Sequence, residues 1–329
     1  MTARLSPTSL IAILLLISFG SLFCALAMGS DGLRFSLLAA LWSEPDSPRD
    51  ALILYDLRLP RALSAFAVGG LLTLCGILMQ VLLRNPLADP YILGTSGGAA
   101  CGALLAMLLG AAGAAVDSAA FIGASLATFI VFGIGGIRSR FAPTMLLLTG
   151  VVIATGFGAL VSLMLALGDD ATLRGMLFWL MGDFSLALNP APVITVLLAA
   201  TLLCWTTAPH LNVLAENETR AKLLGLPLLP ARAIILLFAS LLCAFAVTQA
   251  GSIGFVGLVV PHLVRRLTGM DHRRLIPAAV LAGGSLLCIA DALSRTVLAP
   301  RQLPVGTLTA AIGVPLFLYL LSSNRRERH

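Results

Sequence analysis

The chemistry-capable residues of this chain are few, and they are isolated in hydrocarbon. Glu216, Glu218, Arg220 and Lys222 form a charged island, Ala215-Glu-Asn-Glu-Thr-Arg-Ala-Lys-Leu-Leu-Gly225, with long apolar runs on both sides. A membrane protein keeps such a segment between spans where it meets water or a soluble partner. Lys222 is the sole lysine, and it follows alanine and precedes leucine. A phosphate-binding loop of the form GxxxxGK[ST] needs its lysine after glycine and before Ser/Thr. The chain therefore lacks that nucleotide site, and the island is a place for a nucleotide-using partner to dock.

Intramembrane charge ordinarily marks ion or proton pathways. Asp291 is the one carboxylate inside a span, four residues before Arg295, a spacing that also suits a plain i,i+4 pair. An ion-coupled carrier would bury several such groups, so energy is expected from outside the chain. Gly94-Thr-Ser-Gly97 matches a GxSG string, and His262 lies in a later span. A nucleophilic serine needs a base within hydrogen-bond reach, but one short match in a glycine-rich chain reads equally well as helix packing. The histidines show no metal-ligand spacing. The six cysteines, Cys24, Cys75, Cys101, Cys204, Cys243 and Cys288, lie singly in apolar runs and read as packing residues.

The elements that must position these residues are membrane helices. Of the 329 residues, 59% are hydrophobic and 11% charged, against about 25% charged in a soluble domain. Mean hydropathy is +1.00. A bilayer core of roughly 30 Å needs about 20 apolar residues per helix, and the runs are continuous rather than alternating. The expected fold is an all-α polytopic membrane protein, residues 1–329 forming a single transmembrane domain. About ten spans are expected, near 10–28, 61–83, 92–112, 118–137, 144–167, 190–208, 231–250, 255–267, 276–294 and 305–322. The first resembles a signal peptide but is long enough to span, and is expected to stay as a helix.

Arginine sets the orientation. With Arg4 inside, one face receives Arg4, Arg84, Arg138, Arg140, Arg220, Lys222, Arg232, Arg265, Arg266, Arg273, Arg274, Arg325, Arg326 and Arg328. The other receives Arg34, Arg49, Arg58, Arg61, Arg174, Arg295 and Arg301. Carboxylates lean outward: Asp31, Glu44, Asp46, Asp50, Asp56, Asp117, Asp169, Asp170 and Asp183. Both termini are expected in the cytoplasm. The net charge of +6 then reflects topology rather than nucleic-acid binding.

Small residues repeat at helical spacing: Gly150, Ala154 and Gly158 in the fifth span, Gly98 and Gly102 in the third, Gly306 and Ala310 in the tenth. Such faces let helices approach or leave a passage open. Asn85-Pro-Leu-Ala-Asp-Pro90 and Phe141-Ala-Pro-Thr144 make stiff turns on one side, and Leu303-Pro-Val-Gly306 on the other. Arg58 and Arg61 flank Leu59-Pro60 at a helix start, where they oppose the helix dipole. Guanidiniums there suit bidentate docking to a partner's carboxylates, or contact with lipid headgroups.

Arg58-Leu-Pro-Arg61, Gly76-Ile-Leu-Met-Gln80 and Arg84-Asn-Pro-Leu-Ala-Asp-Pro-Tyr-Ile-Leu-Gly94 resemble the first half of a FecCD/BtuC-type permease of ABC importers. Gly254-Phe-Val-Gly-Leu-Val-Val-Pro-His262, Asp271-His-Arg273 and Leu303-Pro-Val-Gly306 resemble its second half. The resemblance implies ten helices per subunit, a homodimer with one pathway at its interface, two ATPase subunits and a periplasmic binding protein. ATP and magnesium would be bound by the ATPase partner, no cofactor by this chain, and the location would be the bacterial inner membrane. It implies a coupling segment at about 211–230 with Glu216, Glu218, Arg220, Lys222, Leu224 and Gly225. Binding-protein docking would fall to Arg58, Arg61 and Arg295. Cytoplasmic gates would be Asn85, Pro86 and Leu87 with Pro143 and Thr144, though Ala142-Pro143 stands where family members often carry small polar residues. The pathway face would hold Gly150, Ala154, Gly158, Gly306 and Ala310. The implied cargo is haem or an iron-siderophore, with vitamin B12 as the alternative; an ion-coupled secondary transporter is the rival class.

Overall fold

The computed structural model describes residues 6–29, 32–34, 47–137, 141–185, 187 and 189–326. Arg4, Arg138, Arg140 and Arg328, and on the other side Asp31, Glu44 and Asp46, lie outside the described residues. Helix α1 (Pro7–Ala27) leads into a short hairpin of β1 (Met28–Gly29) and β2 (Gly32–Leu33). α2 (Pro48–Ala51) runs through a π-helical stretch, Leu52–Arg58, directly into α3 (Leu59–Leu83). The stretch between the first two expected spans, 10–28 and 61–83, is thus helical from Pro48 onward. Ser47 caps it by accepting from the Asp50 amide, with Pro48 in the first turn.

After a 3₁₀ turn (Pro90–Leu93) come α4 (Thr95–Leu108) and α5 (Ala114–Val131), then α6 (Pro143–Leu167), α7 (Asp170–Met181) and α8 (Ala191–Thr206). α9 (Ala208–Glu216) and α10 (Glu218–Leu223) carry the charged island. α11 (Leu228–Ala250), α12 (Val256–Thr268), α13 (His272–Thr296) and α14 (Val305–Arg326) complete the chain.

Each expected apolar run holds a helix, but their lengths alter the count of spans. Among the described residues, six helical stretches are long and apolar enough to cross a membrane, and a seventh appears if α8 and α9, bent by 62°, form one span. α4 and α12 are too short by that measure. The reason at α4 is local. Asp89, Pro90 and the left-handed Gly94 (φ +77°) use up the start of the run in a tight turn. α7 was not expected; Asp169 caps it by accepting from the Thr172 amide.

α3 is the central helix. Almost all of it from Pro60 to Leu83 is buried, packed against α8, α11, α12 and α13. Glycine makes this approach possible. A Cβ on Gly76 would sit 1.8 Å from the Gly257 carbonyl oxygen of α12, and one on Gly69 would sit 2.3 Å from the Gly283 oxygen of α13. Gly98 and Gly102 play the same part between α4 and α5, meeting Gly123 and Ala119. α6 is the opposite case: Met145, Leu148, Val151, Val152, Leu160, Leu163 and Leu167 are all exposed along it.

Because a Gly257 backbone atom cannot swing aside, Gly76→Ala is expected to lower the thermal midpoint in detergent by an amount equivalent to about 1–3 kcal/mol. Gly158→Ala, in open space, is expected to leave it unchanged.

Candidate functional site

At one end of α3 a buried ionic cluster forms around Asp291 of α13, which has no exposed surface. Arg61 Nε reaches both carboxylate oxygens, at 3.0 and 3.1 Å, and its Nη2 reaches Oδ1 at 2.9 Å. Arg295 Nε lies 3.1 Å from Oδ2. Asp183, after α7, stands 3.5 Å from Arg61 Nη2. The i,i+4 pair expected from sequence is therefore present, with Arg61 as a second partner from a distant segment.

Arg58 and Arg295 turn to the C-terminus of α1. Arg58 Nη1 donates to Leu26 O at 2.7 Å and to Ala27 O at 3.2 Å. Arg295 donates to Ala25 O at 3.2 Å and Met28 O at 3.4 Å. Cations belong at the carbonyl end of a helix. The apparent conflict of arginines at the start of α3 is resolved by the end of α1. Arg58, Arg61 and Arg295 are buried, and with Arg49 and Gln302 they line a cavity of about 380 Å³.

At the other end of α3, Arg84 ends the helix in a left-handed conformation (φ +48°). Asn85 Oδ1 accepts from the Leu87 amide at 2.9 Å, and Asp89 Oδ1 from the Tyr91 amide at 2.8 Å. Pro86 and Leu87 are exposed at the tip. Tyr91 Oη donates to Ile253 O at 3.0 Å and accepts from Ile253 N at 3.2 Å, which ties this loop to the irregular stretch before α12. Pro143 opens α6 and Thr144 is exposed beside it. The 3₁₀ turn and α6 meet at Gly150, where a Cβ would lie 2.3 Å from Ile92 O.

The expected small-residue face is divided. Gly150 packs on the Ile92 backbone, and Gly306 on Met181 O, 2.3 Å from its would-be Cβ. Gly158 faces open space, while Ala154 and Ala310 are half-buried. Ser96 pairs with Ser252 at 2.7 Å. His262 instead lies edge-on to Phe317, so no serine–histidine pair is assembled.

The charged island is two short helices broken at Asn217, whose side chain caps α10 by accepting from the Thr219 amide. Glu216 pairs with Arg220 on the exposed side. Glu218 turns inward, 3.4 Å from Arg84 and 3.2 Å from Arg232. Lys222 is exposed, as are Leu223 at 83% and Leu224 at 61%, and Gly225 (φ +77°) ends the helix. The Glu218 links to Arg84 and Arg232, and the Arg61–Asp291 pairing, escaped sequence reasoning because their partners lie far apart in the chain. The sequence offers each carboxylate a nearby basic residue, Arg295 for Asp291 and Lys222 for Glu218, which hides the distant partners.

The arrangement is that of a polytopic all-α membrane protein with a charged, partly apolar knob at one end and an arginine-lined cavity at the other. The chain belongs to the FecCD transport family, which matches residues 12–323, and so to the permease subunits of ABC importers. It is 39% identical over 290 residues to an uncharacterized ABC transporter permease protein, YvrB, of Bacillus subtilis, covering 85% of this chain and 82% of that one. It is 38% identical over 284 residues to the vitamin B12 import system permease protein BtuC of Citrobacter koseri, covering 85% and 86%. A solved chain described as a metal-chelate type ABC transporter in an inward-facing conformation superposes with a TM-score of 0.85 at 31% identity, covering 96% of this chain and 99% of that one.

Asp291→Asn would leave Arg61 and Arg295 with only the more distant Asp183, 3.5 Å from Arg61, as a counter-charge. It is expected to destabilise the chain by about 3–5 kcal/mol, read as a fall in the detergent melting temperature. At the opposite end, burial pushes the Asp89 carboxyl up from 3.8 to about 6. Its protonated form favours the folded chain, so this contribution is fully present below pH 3.8 and lost as pH rises through about 6. Asp89→Asn keeps an acceptor for Tyr91 N. It is expected to match the parent at low pH and to melt higher above pH 6, a comparison made by melting both across that range.

Proposed function

We propose that this chain imports a metal chelate across the bacterial inner membrane, with haem or an iron-siderophore as the first reading of the cargo. It does so as a homodimer of ten-span subunits with both termini cytoplasmic. Two ATPase subunits bind ATP and magnesium beneath it, and a periplasmic binding protein delivers cargo above. The cargo class rests on the metal-chelate transporter that the fold resembles at 31% identity. A second reading, vitamin B12, is favoured by the relatives named for B12 import.

The observation that carries the mechanism is the split in the island. Leu223, Leu224 and Lys222 face outward, while Glu218 pairs with Arg84, the residue just before the Asn85-Pro86-Leu87 turn. Glu216, Arg220, Lys222, Leu224 and Gly225 form the surface that the ATPase holds. Motion of that surface is passed by Glu218 to Arg84 and Arg232. From there it reaches the gate at Asn85, Pro86 and Leu87, and through Gly150 the second gate at Pro143 and Thr144. Gly158, Ala154 and Ala310 face the pathway shared with the second subunit, with Gly150 and Gly306 setting its helices. At the other end, Arg58, Arg61 and Arg295 present a cavity into which the binding protein inserts carboxylates.

Two substitutions separate docking from transmission. Leu223→Asp is expected to weaken co-purification with the neighbouring ATPase roughly tenfold or more, as loss of an interface anchor does. Glu218→Gln is expected to keep co-purification and to lose most of the ATPase stimulation by loaded binding protein in liposomes. Candidate binding proteins carrying haem, siderophore or cobalamin identify the cargo in that same assay. Retained stimulation in Glu218→Gln would overturn the transmission role of Glu218, and failure of the parent chain to associate with any ATPase would overturn the importer reading in favour of the ion-coupled carrier.

A further inference from the structure

At the end of the molecule that carries Glu218, a cavity of about 420 Å³ opens between α3, α12 and the start of α13. Arg84, Arg265 and Arg266 line it with Gln80, His262 and His272, and no carboxylate is among its lining residues. Three buried polar atoms of this lining have no hydrogen-bond partner: Gln80 Oε1, Arg265 Nε and His272 Nε2. Gln80 is 4% exposed and His272 1%. Buried polar groups are ordinarily satisfied, so three orphans at one cavity call for an occupant.

The chemistry of the occupant follows from the orphans. Asn212 Nδ2 donates to Asp271 Oδ1 at 2.8 Å, which leaves Asn212 Oδ1 as an acceptor. That oxygen accepts from His272 N at 2.8 Å and lies 2.6 Å from His272 Nδ1. Nδ1 therefore carries the proton, and Nε2 offers a lone pair to the cavity. Gln80 Nε2 donates to Leu258 O at 3.5 Å, which fixes Oε1 as the second free acceptor. The cavity thus combines guanidinium donors, suited to an oxyanion, with two acceptors that a fully ionised oxyanion cannot satisfy.

We propose that this cavity binds a phosphate group that also presents a hydrogen-bond donor, as hydrogen phosphate does through its hydroxyl and as an ammonium-bearing phospholipid headgroup does through its amine. The oxyanion sits against Arg265, Arg266 and Arg84, and the donor is met by His272 Nε2 and Gln80 Oε1. Because Arg84 also holds Glu218, the occupant and the charged island share one guanidinium.

The test uses the full chain in detergent, melted in rising inorganic phosphate, sulfate or chloride at constant ionic strength. Native mass spectrometry of the same sample reads retained lipid. The variants are Arg265→Gln and, on the more exposed rim, Arg84→Gln, with Arg174→Gln at a different cavity as the control. A free-phosphate occupant gives a saturable stabilisation by phosphate that exceeds that by sulfate. It weakens roughly tenfold in Arg265→Gln or Arg84→Gln and stays unchanged in Arg174→Gln. A lipid occupant gives no phosphate response, and an amine-bearing phospholipid is retained by the parent and lost from the same two variants. If Arg265→Gln does not fold, Arg84→Gln carries the comparison alone. Phosphate and sulfate acting alike with no retained lipid, or variants behaving as the parent, would overturn the proposal.

Discussion

One buried carboxylate fastens much of this molecule. Asp291 holds Arg61 of α3 and Arg295 of its own helix, and Arg295 with Arg58 then holds the carbonyl end of α1. A charge removed from water is costly unless it is paired and hydrogen-bonded. Here every member of the cluster serves two neighbours, so α1, α3 and α13 cannot be rearranged one at a time. The cavity walled by the arginines inherits that rigidity.

The opposite end is built on weaker, more exposed contacts. Glu218 is shared by Arg84 and Arg232, with much of its carboxylate side open to solvent. Exposed ion pairs of this kind contribute little to stability. An element held by them can be moved at small cost. The fold thus places its tight electrostatics where arginines wall a cavity and its loose electrostatics beside the island and the proline-bearing turn. Between the two ends α3 runs as a nearly solid strut, locked by the glycine contacts with α12 and α13.

Hydrophobic runs bounded by charge and proline were enough to place a helix in each expected span, though not α2 or α7, because length and continuity in apolar sequence are local properties. What stayed hidden was of two kinds. The turn at Asp89–Gly94 and the π-helical entry at Leu52–Arg58 exchange α-helix for tighter or wider winding without any change in composition. The pairing of Arg61 with Asp291 spans most of the chain and leaves no mark at either residue. Arg58 and Arg61 were legible as misplaced charges, but the element that compensates them, the end of α1, could be found only in three dimensions. Gly150 and Gly158 look alike in sequence and differ only in what stands opposite them, a carbonyl in one case and open space in the other.

The phenol of Tyr91 both gives a hydrogen bond to Ile253 and receives one from it. A single hydroxyl thereby serves both backbone polar groups of one residue. The junction between the proline turn and the stretch before α12 hangs on one side-chain atom, so loss of that oxygen alone would leave the Ile253 amide and carbonyl without this partner together.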